Sequence, residues 1–335
     1  MNIFKNNYSK KNYFLLINRF NYFYALQQVK LAYLIKQRMY DICCIGHITL
    51  DKVVTTKGEK HMAGGTSFYF SNALRNMDTN YCLVTSLGKS EMRFVDEMRG
   101  NGIVVKALQG SLTVYFENIY SHNLDHRTQK VLQTADPFTP EQLQDTNAAI
   151  FHLGPLLAND MPLALIKALA KKGRVSLDVQ GYLRAVNNQN VCAADWADKR
   201  EALQHIEILK ASETEMEVLT GCKNVCEGAK ILNGWGVKEV VITLGSQGSV
   251  IYANDIFYNI PAYIPQAETD ATGCGDTYMA GYLYQRIKGA SLQVAGEFGA
   301  GMASLKIQSS GPFTGTRQDV LTHIADSKKY FNTKI

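Results

Sequence analysis

From Tyr40 onward the chain alternates short apolar runs with amphipathic stretches, and this alternation restricts the fold more than any other feature. Residues 40–46, 81–87, 149–154, 174–178, 206–211, 240–244 and 249–253 are apolar runs too short for helices, and they read as buried strands. Between most of them lie stretches with helical spacing, at 67–77, 161–172, 193–204, 213–219 and 225–235. Strands that alternate with helices in this way predict an α/β fold, a central, mostly parallel sheet flanked by helices. The last third reads as mostly helical, with helices at 291–307 and 317–325. Two segments break the rhythm. Residues 48–56 and 102–120 are rich in Val, Thr and Tyr, and they read as exposed antiparallel strands outside the sheet core. A length of 335 residues fits two average domains, or equally one large domain with a small accessory sheet.

The net charge of +5 is misleading. Residues 1–38 hold seven Lys or Arg and no acid, so the rest of the chain is slightly acidic and has no electrostatic footprint for nucleic acid. The apolar runs of this leader are broken by Asn18, Arg19 and Asn21, too short to span a bilayer and unlike a signal peptide. Two readings stand: a basic amphipathic anchor, or upstream sequence before a true start at Met39. The second is the expectation, with residues 39–330 as the folded domain. Seven cysteines show no disulfide framework and no paired zinc knuckles, which places the chain in a reducing cytoplasm by default. No G-x-x-x-x-G-K-[ST] loop and no G-x-S-x-G elbow occur. Gly299 to Ser304 imitates a dinucleotide fingerprint, but it lies in a helical run. His122, Asp125 and His126 read as solvent-facing residues of a hairpin.

The densest chemistry lies in Asp270-Ala271-Thr272-Gly273-Cys274-Gly275-Asp276. Its two glycines allow a tight turn and let main-chain N–H groups approach an anion. Met279, Leu283 and Ile287 follow at helical spacing, so a helix begins near Gly275. A glycine turn that opens a helix presents unpaired N–H groups and the positive end of the dipole, a site for phosphate or an oxyanion. Asp276 adds a general base. A helix N-terminus favours its ionised form by about 0.3–1 kcal/mol, so the carboxylate is expected to be ionised at neutral pH.

The heptad resembles the second signature, D-T-x-G-A-G-D, of the PfkB (ribokinase-like) carbohydrate kinases, with Ala271 for Thr and Cys274 for Ala. Other segments agree in family order over about residues 40–315. Gly64-Gly65 leading into a helix resembles the first signature. Tyr69 stands at the place of that signature's sugar-binding Asn, a departure that points away from ribose and leaves Tyr69 or Asn72 to contribute instead. Asp178 to Arg184 resembles D-x-(N/Q)-x-x-x-R, whose Asp and Arg either contact substrate or phosphate or pair with each other. Ser212 to Glu215 resembles N-x-x-E with Ser for Asn, and it also fits a helix capping box. Thr243 to Gly248 resembles T-x-G-x-x-G, and 303–312 resembles the segment that closes over adenine.

The resemblance implies a ribokinase-like fold with a small β lid formed near 48–56 and 102–120. It implies an ATP-dependent phosphotransferase acting on a hydroxyl of a sugar or polyol. Asp276 is then the base, and Gly273, Cys274 and Gly275 form the anion hole. Asp51, Gly64, Gly65 and Arg184 bind the acceptor, while Thr243, Gly245 and Gly248 flank the nucleotide. Glu215 holds Mg²⁺ through water, and a monovalent cation lies beside Asp270. A neutral small molecule is the expected acceptor, and the lid is the expected homodimer contact, with no nucleic acid or membrane partner. A nucleoside (adenosine-like) kinase is the alternative, as is a sugar- or nucleotide-binding homologue without catalysis.

Overall fold

Strand β1 (Tyr40–Ile45) sends alternate side chains to opposite faces of a sheet. Ile42 and Cys44 join one buried cluster with Phe70, Tyr282 and Phe298, whereas Cys43 and Ile45 join another with Phe151, Leu165 and Leu209. A strand buried on both faces needs the unbroken apolar run found there. The computed structural model describes residues 39–55, 58–120 and 127–332. The basic leader and the His122, Asp125 and His126 group lie outside the described residues.

β1 shares a sheet with β4 (Tyr81–Leu87), β5 (Val105–Gln109), β8 (Ala148–Leu153), β9 (Arg174–Asp178), β12 (Ile208–Ser212), β13 (Glu239–Thr243), β14 (Ser249–Ala253) and β15 (Ile256–Ile260). Their order is β15-β14-β13-β12-β9-β8-β1-β4-β5. Every pairing from β13 to β5 is parallel, and only β14 and β15 run antiparallel to their neighbours. A second sheet holds β2 (Thr49–Thr55), β3 (Gly58–Gly64), β6 (Tyr115–Tyr120), β7 (Arg127–Gln133), β10 (Arg184–Asn187) and β11 (Asn190–Ala193), in the order β10-β11-β7-β6-β2-β3.

Nine helices occur among the described residues: α1 (Thr66–Leu74), α2 (Met92–Gly100), α3 (Leu163–Ala170), α4 (Lys199–Ala202), α5 (Glu213–Thr220), α6 (Val225–Gly234), α7 (Cys274–Ile287), α8 (Leu292–Lys306) and α9 (Arg317–Asn332). Through Phe70, Val95, Tyr282 and Phe298, α1, α2, α7 and α8 cover one face of the large sheet. Through Leu165, Met216 and Leu232, α3, α5 and α6 cover the other.

The expected α/β architecture is present, with three local differences. Residues 102–120 do not all leave the core, because β5 is the edge strand of the large sheet and pairs in parallel with β4. Ile103 and Val105 are buried there while Val104 is exposed. A strand covered on one face only shows the same polar–apolar alternation as an exposed antiparallel strand, so the pattern alone does not distinguish the two. In the second sheet β2 pairs β6 in parallel and β3 antiparallel, and the β10–β11 hairpin widens it. Within 193–204, the helix shrinks to Lys199–Ala202 followed by a 3₁₀ turn.

The second sheet starts three residues beyond β1, and its Val114, Phe116 and Val131 pack on Leu156 and Leu157 just past β8. It therefore joins the large sheet at the carboxyl ends of the parallel strands. Asp178, Ser212 and Thr243 close β9, β12 and β13 at that same edge. Open α/β sheets bind their ligands there.

Candidate active site

Gly273 starts α7 in a left-handed conformation, φ 78°, and a Cβ at this position would lie 2.2 Å from the Tyr69 ring. Backbone angle and close packing both demand glycine. Ahead of it, Asp270 Oδ1 accepts the Thr272 N–H at 2.9 Å, and the Cys274 N–H donates to the Ala271 carbonyl at 3.1 Å. Cys274 therefore spends its N–H inside the turn, contrary to its expected place in the anion hole. The N–H groups of Gly273, Gly275 and Asp276 find no acceptor among the described residues, and they lie at the positive end of α7.

Asp276 is half-buried in the first turn of α7. Burial raises its pKa to about 7, the Asp178 carboxylate pushes the same way, and Lys210, a hydrogen bond from Thr66 and the charge of Arg184 pull it down. The expectation of a fully ionised carboxylate at neutral pH is corrected accordingly. Loss of water and a second carboxylate outweigh the helix dipole.

Lys210 is the residue that the sequence reading missed. Its ammonium is buried, 3.0 Å from Asp178 Oδ2 and 3.9 Å from Glu215 Oε2. A Cβ on Gly275 would meet Lys210 Nζ at 3.2 Å, so the ammonium lies directly under the turn. Burial alone lowers the Lys210 pKa, but the carboxylates of Asp178, Glu215 and Asp276 more than reverse this and hold it well above the ordinary lysine value. The available signal was a lysine inside the apolar strand run at 206–211. Asp178 thus pairs with Lys210, and its Oδ1 also accepts the Gln180 N–H at 3.1 Å.

Glu215 and Ser212 form the capping box of α5: Ser212 N donates to Glu215 Oε2 at 2.7 Å, and Glu215 N donates to Ser212 Oγ at 3.3 Å. Glu215 Oε1 makes no hydrogen bond among the described residues, so it could hold a water of a metal ion. No cluster of three His, Cys, Asp or Glu among the described residues could bind a metal directly. That donor set suits Mg²⁺, which keeps most of its waters and needs one carboxylate beside the phosphates.

On the opposite side, Thr49 Oγ1 donates to Asp51 Oδ1 at 2.6 Å. A Cβ on Gly64 would lie 2.4 Å from Asp51 Oδ2, so glycine is what lets the carboxylate lie against the β3 backbone. Gly65 follows as the N-cap of α1, and Thr66, the first residue of α1, bonds Asp276. Asp51, Gly64, Gly65, Thr66 and Asp276 therefore form one continuous strip. Tyr69 and Asn72 do not join it as expected. Tyr69 is buried over Gly273, and Asn72 Nδ2 donates to the Phe68 carbonyl at 2.9 Å. Thr243 ends β13, and the turn through Gly245 to Gly248 closes by a Leu244 N–H to Gly248 carbonyl bond of 2.8 Å.

Strand register divides the charges of the second sheet between its two sides, with Lys60 opposite Val53 on the side of Asp51. Asp51 pairs with Phe116 and Val53 with Asn118, on the side that carries the Val114, Phe116 and Val131 cluster. Lys52 and Glu117 pair on the other side and form ion pairs with Glu59 and Lys130. A cleft of about 730 Å³ lined by Leu50, Glu91, Leu112, Thr113, Tyr115 and Gln133 also opens beside Leu50, away from Asp51.

Residues 39–318 match the family described as pfkB family carbohydrate kinase. The chain belongs to that family. It is a phosphotransferase with an alcohol group as acceptor, on a ribokinase-like fold. The cytidine kinase of Thermococcus kodakarensis is 26% identical to this family member over 264 residues, 76% of this chain and 91% of its own. The ribokinase of Arabidopsis thaliana is 31% identical over 184 residues, 52% of this chain and 45% of that one. A pyrophosphate-dependent kinase of the ribokinase family, solved with a pyrophosphate analogue and myo-inositol, superposes with a TM-score of 0.75 at 26% identity. That match covers 84% of this chain and 99% of the other.

Proposed function

We propose that this pfkB-family kinase transfers the terminal phosphoryl group of ATP to a hydroxyl of a neutral sugar or cyclitol. The observation that carries this is the meeting of Asp276, the open N–H groups of Gly273 and Gly275, and the Thr66–Asp51 strip at one sheet edge. The acceptor hydroxyl lies against Asp276 while Asp51 accepts hydrogen bonds from its other hydroxyls. Its oxygen forms a bond to the γ-phosphorus as the bond to the β-phosphate oxygen breaks, and the proton passes to Asp276. In a loose transition state that proton leaves late, and a base with a pKa near the working pH is well placed to take it. The open N–H groups receive charge from the phosphoryl oxygens. Lys210 and Arg184 balance the carboxylates, and Thr243, Gly245 and Gly248 flank the nucleotide. Glu215 would hold a water of Mg²⁺, which neutralises donor phosphate charge when bound.

A neutral acceptor is supported by the ion pairs of the second sheet, since Lys52 and Lys130 are engaged by Glu59 and Glu117 on the side away from Asp51, while register puts Lys60, opposite Val53, on the Asp51 side. A cyclitol is supported by the likeness to the kinase solved with myo-inositol. The same likeness favours a second reading of the donor, pyrophosphate in place of ATP. The cytidine kinase relative favours a second reading of the acceptor, a nucleoside. Phosphorus NMR of mixtures containing ATP or pyrophosphate with myo-inositol, hexoses, pentoses, nucleosides or sugar phosphates tests all of these. A best acceptor that is already phosphorylated, or turnover with no acceptor at all, would overturn the reading. We also propose that residues 39–330 suffice for folding, that the second sheet pairs two copies, and that the protein works in the cytoplasm. All seven cysteines are free, which agrees with a reducing compartment. Among the described residues no helix is long and apolar enough to cross a membrane.

A further inference from the structure

Lys306, the last residue of α8, is completely buried, an unusual position for a side chain that normally keeps its head in water. Its ammonium donates to the carbonyl oxygens of Asp270 at 2.8 Å and Ser309 at 3.2 Å, and Asp270 Oδ2 lies 3.8 Å away. The negative end of α8 adds to this field. Carbonyl and carboxylate oxygens gathered in this way are also the donors that replace the hydration shell of a potassium ion.

The neighbouring backbone is laced to the same spot. The Thr269 and Asp270 N–H groups both donate to the Ile307 carbonyl, at 2.8 and 3.1 Å, and Thr269 Oγ1 donates to the Gln308 carbonyl at 3.0 Å. The Asp270 carboxylate that faces Lys306 is the one that shapes the turn through the Thr272 N–H. The field of Lys306 reaches that turn. Burial pushes the Cys274 thiol up to about 11, while Lys306 draws it down.

We infer that Lys306 is a built-in cation, a positioning residue that takes the place beside Asp270 where the family resemblance implies a dissociable monovalent ion. Two cations cannot share those oxygens, so the expected potassium or sodium ion does not fit there, and this kinase turns over without one. The inference rests on the proposed role of the Gly273–Gly275 turn in holding the transferring phosphoryl group.

The first test uses the full chain at constant ionic strength and Mg²⁺, comparing potassium, sodium and tetramethylammonium chlorides. Melting temperatures should agree within about 2 °C, and initial rates with the best acceptor within about twofold. A larger rise in melting temperature with potassium, or a tenfold activation, would overturn the inference. Melting needs neither donor nor acceptor, so a wrong substrate reading leaves that arm intact. The second test is Lys306→Ala, which opens an oxygen-lined cavity. Its kcat in tetramethylammonium should fall about 10–100-fold, as for other loss of support behind a site, and potassium or methylammonium should restore most of it. Lys306→Met, which fills the space without charge, should lose rate and gain nothing from either ion. A folded Lys306→Ala protein with normal kcat, or with low kcat that neither ion restores, would show a merely structural lysine. Should neither variant fold, the wild-type comparison decides alone.

Discussion

Asp276 is the residue on which the proposed chemistry turns. Replacing it by Asn keeps its size and one acceptor oxygen but removes the basicity. General-base assistance is worth about 10²–10⁴-fold, so kcat of Asp276→Asn should drop by that much while donor binding changes little. With the base at a pKa of about 7, wild-type kcat/KM should fall about tenfold per unit below that pH. The same shift makes a stability prediction. A carboxyl whose folded pKa exceeds its unfolded value of about 3.9 contributes stability that is fully present below pH 4 and lost as pH rises toward 7. Asp276→Asn should therefore melt higher than wild type at pH 8, with the gain shrinking toward pH 4. A constant difference in calorimetry across that range would contradict the shifted carboxyl. Lys210 is the counterpart. Lys210→Met leaves Asp178, Glu215 and Asp276 without their shared cation, and breaking a buried pair costs about 3–5 kcal/mol. Urea unfolding should show that loss, and any residual activity should have its acid limb moved to higher pH.

At the scale of elements, the site is a meeting of helix starts and strand ends. α7 supplies the open N–H groups, α5 is capped by Ser212 and Glu215, and α1 brings Thr66 to Asp276. β2 and β3 set Asp51 against Gly64. Gly64→Ala would place a Cβ 2.4 Å from Asp51 Oδ2 and displace the carboxylate without touching α7. Loss of one charge-assisted hydrogen bond of about 1.5–3 kcal/mol should raise the acceptor KM about 10–100-fold. The donor KM should hardly move, and steady-state kinetics with each substrate varied in turn would show the split. Equal rises in both constants would place Asp51 elsewhere in the cycle.

For the whole molecule, the boundary near Met39 matters most. The family match starts at residue 39, and the compact unit starts at Tyr40. A chain that begins at Met39 should melt within about 2 °C of the full chain and keep its kcat, because it keeps the same core. Circular dichroism and the kinase assay check this. Insolubility or inactivity of the truncated chain would restore the anchor reading of the leader. The nine-stranded sheet places its chemistry along one carboxyl edge, and segments more than 200 residues apart in sequence, such as Asp51 and Asp276, come together there.

Periodicity and local motif were legible without the structure. Unbroken apolar runs such as β1 could only be strands buried on both faces, and the glycine turn before Met279 could only open a helix. Asp276 was singled out by the glycine turn and helix start around it, whereas Glu215 and Asp51 were singled out only through the family resemblance of their segments. What depended on contact across the chain was not legible. The pKa of Asp276 follows from burial and from Asp178, ninety-eight positions earlier, and no spacing rule carries that. Lys210 and Lys306 look like ordinary lysines until packing strips their water and surrounds each with oxygen atoms. Tyr69 stands where an acceptor ligand was expected, yet its ring is drawn onto Gly273, because apolar area leaves water wherever the fold offers a surface. Sequence determines which segments become strands and helices through local sterics and hydrophobic period. Tertiary structure alone decides which charges face one another, because desolvation and Coulomb energy depend on distances that exist only in the folded chain.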